Sequence, residues 1–429
     1  MTIPVPSSEV RDPYAGNVLI QGLGEILSPK DTLAALIYLP PRPDAMEGVP
    51  RHVRLHQLMD VRDLHIPSLI ERQLRQTIGL MVRQSYKYRD PRLSTTWAAL
   101  SGESQRRGIL LPQATAASVE GLSGVGKTQA CLRCLYGFPR QVIDHESFPR
   151  MVGGLQQLVW LSVEVPPSGK AGDLARALME AWRHATGSTR FDSWLSKEKI
   201  TDGMRALDEW RQVAVAHFLG MLHLDEVQNL FKLGSLKQRT GRKGAGDATA
   251  LSIVEDQVLR WLLYLTNSGQ IPLLVSGTPD GIGALTKRLS TLERLNTVGY
   301  HPFEPIRLAT GKALESGLLG FLAGYQYVRQ PITMDDKLAR LIIDLTGGIQ
   351  RVIVALWVAA HRVAFERSQD DLRMEDFTKA ASTWLAPLAP AIAALQTKDP
   401  MKMSRYEDLV LRDTTFWATF WQNTTHLPQ

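Results

Sequence analysis

One eight-residue run constrains this chain more than any other feature. Gly121-Leu122-Ser123-Gly124-Val125-Gly126-Lys127-Thr128 fits G-x-x-x-x-G-K-[ST] at every fixed position. Glycines at this spacing let the backbone curl so that successive N–H groups converge on one point, and a helix starting at the end of the curl adds the positive end of its dipole. Such a concavity suits phosphate. The lysine then reaches β- and γ-phosphates, and the final hydroxyl ligates Mg²⁺. The flanks agree: Ala117–Glu120 reads as a strand, and the stretch from Thr128 to Tyr136 reads as a helix. ATP and Mg²⁺ are the expected ligands. Gly121, Ser123, Gly124, Val125, Gly126, Lys127 and Thr128 are the expected cradle.

A second run completes that chemistry. Met221-Leu222-His223-Leu224-Asp225-Glu226 is a strand-like segment ending in two carboxylates. In a parallel sheet this puts Asp225 near the metal, at the carboxyl edge where ligands bind, and Glu226 beside it to orient or activate a water. His223, inside the strand, reads as a packed core residue. Thr278 ends the next apolar run, Leu274-Val275-Ser276-Gly277-Thr278-Pro279. It either contacts the γ-phosphate and the water or caps the following helix.

Around these motifs, apolar runs at Ala117–Glu120, Leu158–Val165, Phe218–Leu224 and Ile271–Ser276 alternate with helical stretches around Thr128–Tyr136, Ala171–Ala185 and Ile253–Asn267. That alternation predicts an α/β fold with a parallel sheet. A last strand is expected near Pro305–Leu308. From Thr310 to about Leu395 the periodicity is helical, with breaks at Gln330-Pro331 and Thr346-Gly347-Gly348. The first 50 residues, rich in Pro, Gly and Asp, read as an irregular arm, and a helix follows from about Leu64 that should end before Pro91. The expected division is residues 1–106 as N-terminal arm and helical region, 107–309 as nucleotide-binding core, 310–395 as an all-helical lid and 396–429 as an aromatic-rich tail.

Composition excludes more than it selects. With 44% hydrophobic and 21% charged residues among 429, the chain is of ordinary globular type and long enough for more than one domain. No run of about 18 uncharged apolar residues appears, so no membrane span is expected. The start is not a secretory signal. Two cysteines, Cys131 and Cys134, support no disulfide framework and fit a reducing cytosol. They read as packed thiols of the helix after the phosphate loop rather than as zinc ligands. The net charge of +6 is compatible with nucleic acid.

The two nucleotide motifs and the strand ending in Thr278 resemble the AAA+ ATPases. The resemblance implies that Thr278 is the residue called sensor one. It also implies that Arg351, in Thr346-Gly347-Gly348-Ile349-Gln350-Arg351, is the lid arginine that contacts nucleotide phosphates. Arg294 first and Arg288 second are its candidates for the arginine that enters a neighbouring subunit's site; either is alternatively a solvated helix charge.

More narrowly, the run from Leu224 to Leu285, with its Asp-Glu-x-Gln-x-Leu strand end and its Gly-Thr-Pro, resembles the TnsC/TniB family of transposition-regulator ATPases. The stretches IERQLRQTIGLMVRQSYKYRDP and LVWLSVEVPPSGKAGDLARAL are similar to that family too. The resemblance implies slow, DNA-stimulated ATP hydrolysis by a homo-oligomer, a ring or helical filament, on double-stranded DNA. It also implies a target-selector partner of TniQ/TnsD type, a transposase of TnsB/TniA type, no membrane partner, and a bacterial cytoplasmic, nucleoid-associated setting. Lys170 lies where the family's DNA-facing loops do. Lys237, Arg239, Arg242 and Lys243 sit among glycines in a stretch that is either a phosphate-contacting loop or a solvated surface loop. Phe416, Trp417, Phe420 and Trp421 form either a packed amphipathic helix or a docking peptide. The same core would also serve a helicase loader or initiator ATPase, or an ATP-binding signalling switch.

Overall fold

A run such as Leu273-Leu274-Val275 has no polar alternate face to offer water, so it must be buried on both sides, as strands are inside a parallel sheet. The computed structural model, which describes residues 13–43, 46–101, 115–232, 252–253, 256–267, 271–285, 295–307, 310–315 and 317–397, puts it there. Among the described residues the strands are β1 (Ala116–Gly121), β2 (Val142–His145), β3 (Leu155–Leu158), β4 (Leu161–Glu164), β5 (Leu222–Asp225), β6 (Phe231–Lys232), β7 (Ser252–Ile253), β8 (Leu273–Gly277) and β9 (Gly299–Phe303). The main sheet has five strands in the order β4-β5-β8-β1-β9. β4 with β5, β5 with β8 and β8 with β1 are parallel. The register pairs Glu164 with Asp225, Leu224 with Val275, and Glu120 with Gly277. The polar ends of these strands therefore share the carboxyl edge of the sheet.

Two compact units divide the chain. One is formed by the described residues of Met1–Ser28, Glu71–Glu120 and Cys131–His301, the other by those of Pro29–Ile70, Gly121–Ala130 and Pro302–Gln429. In the first, helix Ala171–Thr186 buries Leu174, Ala175, Leu178, Met179 and Trp182, one face at helical spacing, and stops at Gly187 in the left-handed region. Helix Gly203–Ala216, capped by Asp202, lays Ala206, Leu207 and Trp210 into the same core. Helix Leu69–Tyr88 ends with Tyr86 fully buried, its hydroxyl donating to the Phe218 carbonyl at 2.9 Å.

The second unit is helical around one core. Asp335 caps helix Asp336–Thr346 by accepting from the Leu338 N–H at 2.8 Å. Gly347 and Gly348, both at positive φ, turn the chain into helix Gln350–Phe365, which is buried along most of its length. Helices Met374–Thr383 and Ala389–Thr397 follow. Leu55, Leu58, Val61 and Leu64 fill the same core.

Several expectations need correction. The stretch Leu158–Val165 is two strands in different sheets, β3 pairing antiparallel with the unanticipated β2. The final strand is β9, at Gly299–Phe303 instead of near Pro305–Leu308; Pro302 weakens its signal, yet an edge strand tolerates proline. The helix expected from Ile253 begins at Asp256, because Ser252–Ile253 pairs with β6. The first 50 residues are not an irregular arm throughout: Leu19 and Leu23 are buried, and Pro29–Leu36 is a helix. Among the described residues, no single helix is long and apolar enough to cross a membrane.

Candidate functional site

The glycine-rich loop leaves β1 and ends where helix Lys127–Tyr136 begins. Gly124 and Gly126 take φ of 85° and 98°, values that L side chains rarely adopt. Gly121 is closed in as well, since a Cβ there would lie 2.5 Å from the Phe303 carbonyl oxygen. Lys127 is only 7% exposed, and its Nζ donates to the carbonyls of Gly121 at 2.7 Å and Leu122 at 2.9 Å. A buried ammonium needs acceptors, and a phosphate oxygen with full negative charge is a stronger one than either carbonyl. The loop meets the start of helix Gln350–Phe365: the Arg351 N–H donates to the Gly124 carbonyl at 3.0 Å. A Cβ on Gly126 would lie 2.7 Å from Gln350 Oε1. Arg351 thus has its backbone on the loop and its side chain exposed. Ser123 and Thr128 are half-buried, and Val125 is buried.

The two carboxylates stand at the end of β5. Asp225 is its last residue, and Glu226 takes φ of 55° to enter the turn Val227–Leu230. Asp225 Oδ1 accepts the Glu226 N–H at 2.9 Å and also the Ser276 hydroxyl. His223 is fully buried and bonded at both ring nitrogens, Nδ1 to Ser162 Oγ and Nε2 to Ser276 Oγ, each at 2.8 Å. Burial holds its imidazole below the ordinary titration range, although the Asp225 charge acts the other way. Gln228 donates its amide to the Glu226 carboxylate and accepts the Thr278 N–H at 3.2 Å. Thr278 accepts from the Ile282 N–H at 3.0 Å through its carbonyl, so it stands at the head of helix Pro279–Leu285. Gln228 is the Gln of the Asp-Glu-x-Gln-x-Leu run, whereas Ser162, His223 and Ser276 carry no individual motif signal. The shared trait of these three is a polar side chain inside a strand that is otherwise largely apolar.

The glycine loop with its buried lysine suits a phosphate, and the strand-end carboxylates of the other unit are donors of the kind a nucleotide's metal takes. Residues 112–285 match the family model described as an AAA domain. This stretch is an AAA domain. The parallel sheet with its helices is the AAA+ fold, and the helical C-terminal region agrees with it. The chain is similar to the Thermotoga maritima RuvB Holliday junction branch migration motor, at 17% identity over 67% of this chain and 66% of that one, with a TM-score of 0.34. It is also similar to the Drosophila ORC in a structure bound to DNA, at 14% identity over 86% of this chain and 76% of that one, with a TM-score of 0.41. The match therefore spans just under two thirds of the RuvB chain. No curated protein sequence matches this chain.

AAA domains bind nucleotide, typically with Mg²⁺, and the residues present fit that pair. The loop glycines carry no Cβ of their own to shield their N–H groups, Lys127 supplies a cation, and Thr128 in one unit and Asp225 in the other are each hard oxygen donors of the kind Mg²⁺ takes. Outside the AAA domain's motifs, Lys170 is exposed at the head of helix Ala171–Thr186, directly after Gly169 at φ 62°. Cys131 and Cys134 are both buried, and burial raises the Cys134 thiol well above its ordinary value, as befits packed thiols. Among the described residues, no group of three or more His, Cys, Asp or Glu side chains is placed to hold a metal. Arg288, Arg294, Lys237, Arg239, Arg242, Lys243 and the terminal aromatic cluster lie outside the described residues.

Proposed function

We propose that this chain binds ATP with Mg²⁺, hydrolyses it slowly, and uses the bound nucleotide to govern assembly of a homo-oligomer on double-stranded DNA, as a transposition regulator of TnsC/TniB type. The observation that carries the nucleotide half is the lysine of the glycine-rich loop: Lys127 is buried on two loop carbonyls at the head of a helix. A desolvated cation beside converging N–H groups recognises phosphate.

In this reading Lys127 offsets charge on the β- and γ-phosphates, and Thr128 and Asp225 hold Mg²⁺. Glu226 orients and deprotonates the attacking water, Thr278 contacts the γ-phosphoryl group or that water, and Arg351 reaches the phosphates from the helical region. Arg294, or failing it Arg288, offers its guanidinium to a neighbouring copy's γ-phosphoryl group. Nucleotide bound at an interface between copies stabilises the assembly, and hydrolysis releases it. Lys170, Lys237, Arg239, Arg242 and Lys243 contact DNA phosphates without reading bases, so binding is sequence-independent and strongly salt-sensitive. The DNA, selector and transposase elements are supported by the sequence resemblance to TnsC/TniB.

Imaging the protein with duplex DNA and a slowly hydrolysed ATP analogue, beside Lys127→Ala, tests the reading. Rings or filaments that require nucleotide and vanish in the variant support it. Capture of a TnsB-type transposase by those assemblies separates it from a helicase loader. A chain that binds ATP yet stays monomeric and off DNA sinks the assembly mechanism and leaves a switch-type ATPase.

A further inference from the structure

Resting on the ATP–Mg²⁺ reading, we propose that Ser162, His223 and Ser276 form a fixed hydrogen-bond chain that orients the Asp225 carboxylate for the metal, with His223 and Ser276 as positioning residues.

The directions of the bonds follow from donor arithmetic. Ser276 has one hydroxyl proton and spends it on Asp225 Oδ1, because a carboxylate only accepts. The 2.8 Å contact between Ser276 Oγ and His223 Nε2 must then be one in which the ring donates. Nε2 therefore carries the proton. In a neutral imidazole Nδ1 is left as the acceptor, and Ser162 Oγ, 2.8 Å away, donates to it. Each hydroxyl proton and each ring nitrogen has one role, and reversing any bond leaves two protons or two lone pairs facing each other. The arrangement is self-consistent in one direction only, from Ser162 toward Asp225.

The sheet makes this chain rigid. Ser162 and His223 are register partners on β4 and β5, and Ser276 lies on β8, which pairs with β5 on its other side. His223 and Ser276 are fully buried. Oδ1 of Asp225 also takes the Glu226 N–H, so one donor from β8 and one from the turn after β5 fix the rotation of the carboxylate about χ2. A carboxylate held in this way meets a cation without having to be ordered first, which is the work of the groups behind metal ligands. A buried His-Ser pair would otherwise be a poor choice next to Leu222 and Leu224, where an apolar residue packs at no polar cost.

The test is a Mn²⁺ titration followed by electron paramagnetic resonance, on the full chain saturated with a slowly hydrolysed ATP analogue. Binding of a fluorescent ATP analogue in EDTA runs alongside, and circular dichroism checks the fold. Ser276→Ala is expected to raise the half-saturating Mn²⁺ concentration about 10-fold, with nucleotide binding in EDTA unchanged. His223→Leu is expected to do the same, and the double variant no more than either single one, since both cut one chain. His223→Gln, which keeps a donor near the Nε2 position, stays close to wild type. If His223→Leu fails to fold, Ser162→Ala replaces it and raises the half-saturating concentration by a smaller factor. Unchanged Mn²⁺ affinity in folded Ser276→Ala overturns the proposal and leaves the ATP reading standing. A wild-type chain that takes up Mn²⁺ no better with nucleotide than without it overturns both.

Discussion

Gln228 donates its side-chain amide to the carboxylate of Glu226, two residues earlier, across a turn that Glu226 enters in the left-handed region. The other end of the same amide accepts the Thr278 N–H. The carboxylate proposed to handle the water is thereby tied to the end of β8. Gln228→Leu keeps the volume and removes both bonds. It is expected to lower kcat for ATP hydrolysis by roughly 10- to 100-fold through misplacement of Glu226, while a fluorescent ATP analogue binds as before. Steady-state hydrolysis and nucleotide binding, measured side by side, separate the two effects. Equal losses in both would show that Gln228 supports the fold rather than Glu226.

The same turn explains two glycines. A Cβ on Gly277 would lie 2.8 Å from both Gln228 Oε1 and Val227 Cγ2, each the end of a side chain. A Cβ on Gly281 would lie 2.7 Å from Gln228 Cβ and 2.8 Å from its Cα, where only backbone movement can relieve it. Gly281→Ala is therefore the more damaging change, at about 1–3 kcal/mol of overpacking. Denaturant unfolding of the two alanine variants should rank Gly281 below Gly277. The opposite ranking would mean the turn yields more easily than its atoms imply.

What is legible in the sequence is local. The loop from Gly121 to Thr128 and the pair Asp225-Glu226 carry their chemistry in consecutive residues, and the break at Gly347-Gly348 is visible because only glycine takes two successive left-handed conformations cheaply. The relay behind Asp225 is not legible. Ser162, His223 and Ser276 come from three strands, and their contact depends on a register that no single segment encodes. His223 reads as a packed residue; it is buried, but both its nitrogens are in use. The helix at Arg51–Gln57 is hidden in a proline-rich neighbourhood, and its Leu55 joins a core most of whose residues run from Leu314 onward. Proximity of that kind leaves no periodic trace.

Arg351 tests whether the start of helix Gln350–Phe365 serves the nucleotide. Its N–H is committed to the Gly124 carbonyl while its side chain is exposed. One charge-assisted hydrogen bond to phosphate is worth about 1.5–3 kcal/mol, so Arg351→Ala should weaken ATP binding roughly 10- to 100-fold. The thermal midpoint without nucleotide should stay near wild type, because an exposed side chain contributes little to folding. Unchanged affinity would remove Arg351 from the site.

The ion pair between Arg54 and Asp370 makes a prediction about stability and pH. Its two hydrogen bonds, at 2.9 and 2.7 Å, are buried, and Arg54 also donates to the Tyr327 carbonyl at 2.8 Å. Burial alone would raise the Asp370 carboxyl, but hydrogen bonding and charge from Arg54 outweigh it and hold the group below its usual range. A depressed carboxyl stabilises the fold above its unfolded pKa, about 3.9 for an aspartate, and that stabilisation is lost as pH falls toward the folded value. Asp370 sits at φ 58°, which asparagine tolerates, so Asp370→Asn removes the charge without straining the backbone. Leaving Arg54 buried without its counter-charge should cost on the order of 3–5 kcal/mol at pH 7. Thermal unfolding of the two proteins should show a gap that is full at neutral pH and narrows as pH falls below about 4. A gap of constant width across that range would mean that the ion pair is not its source.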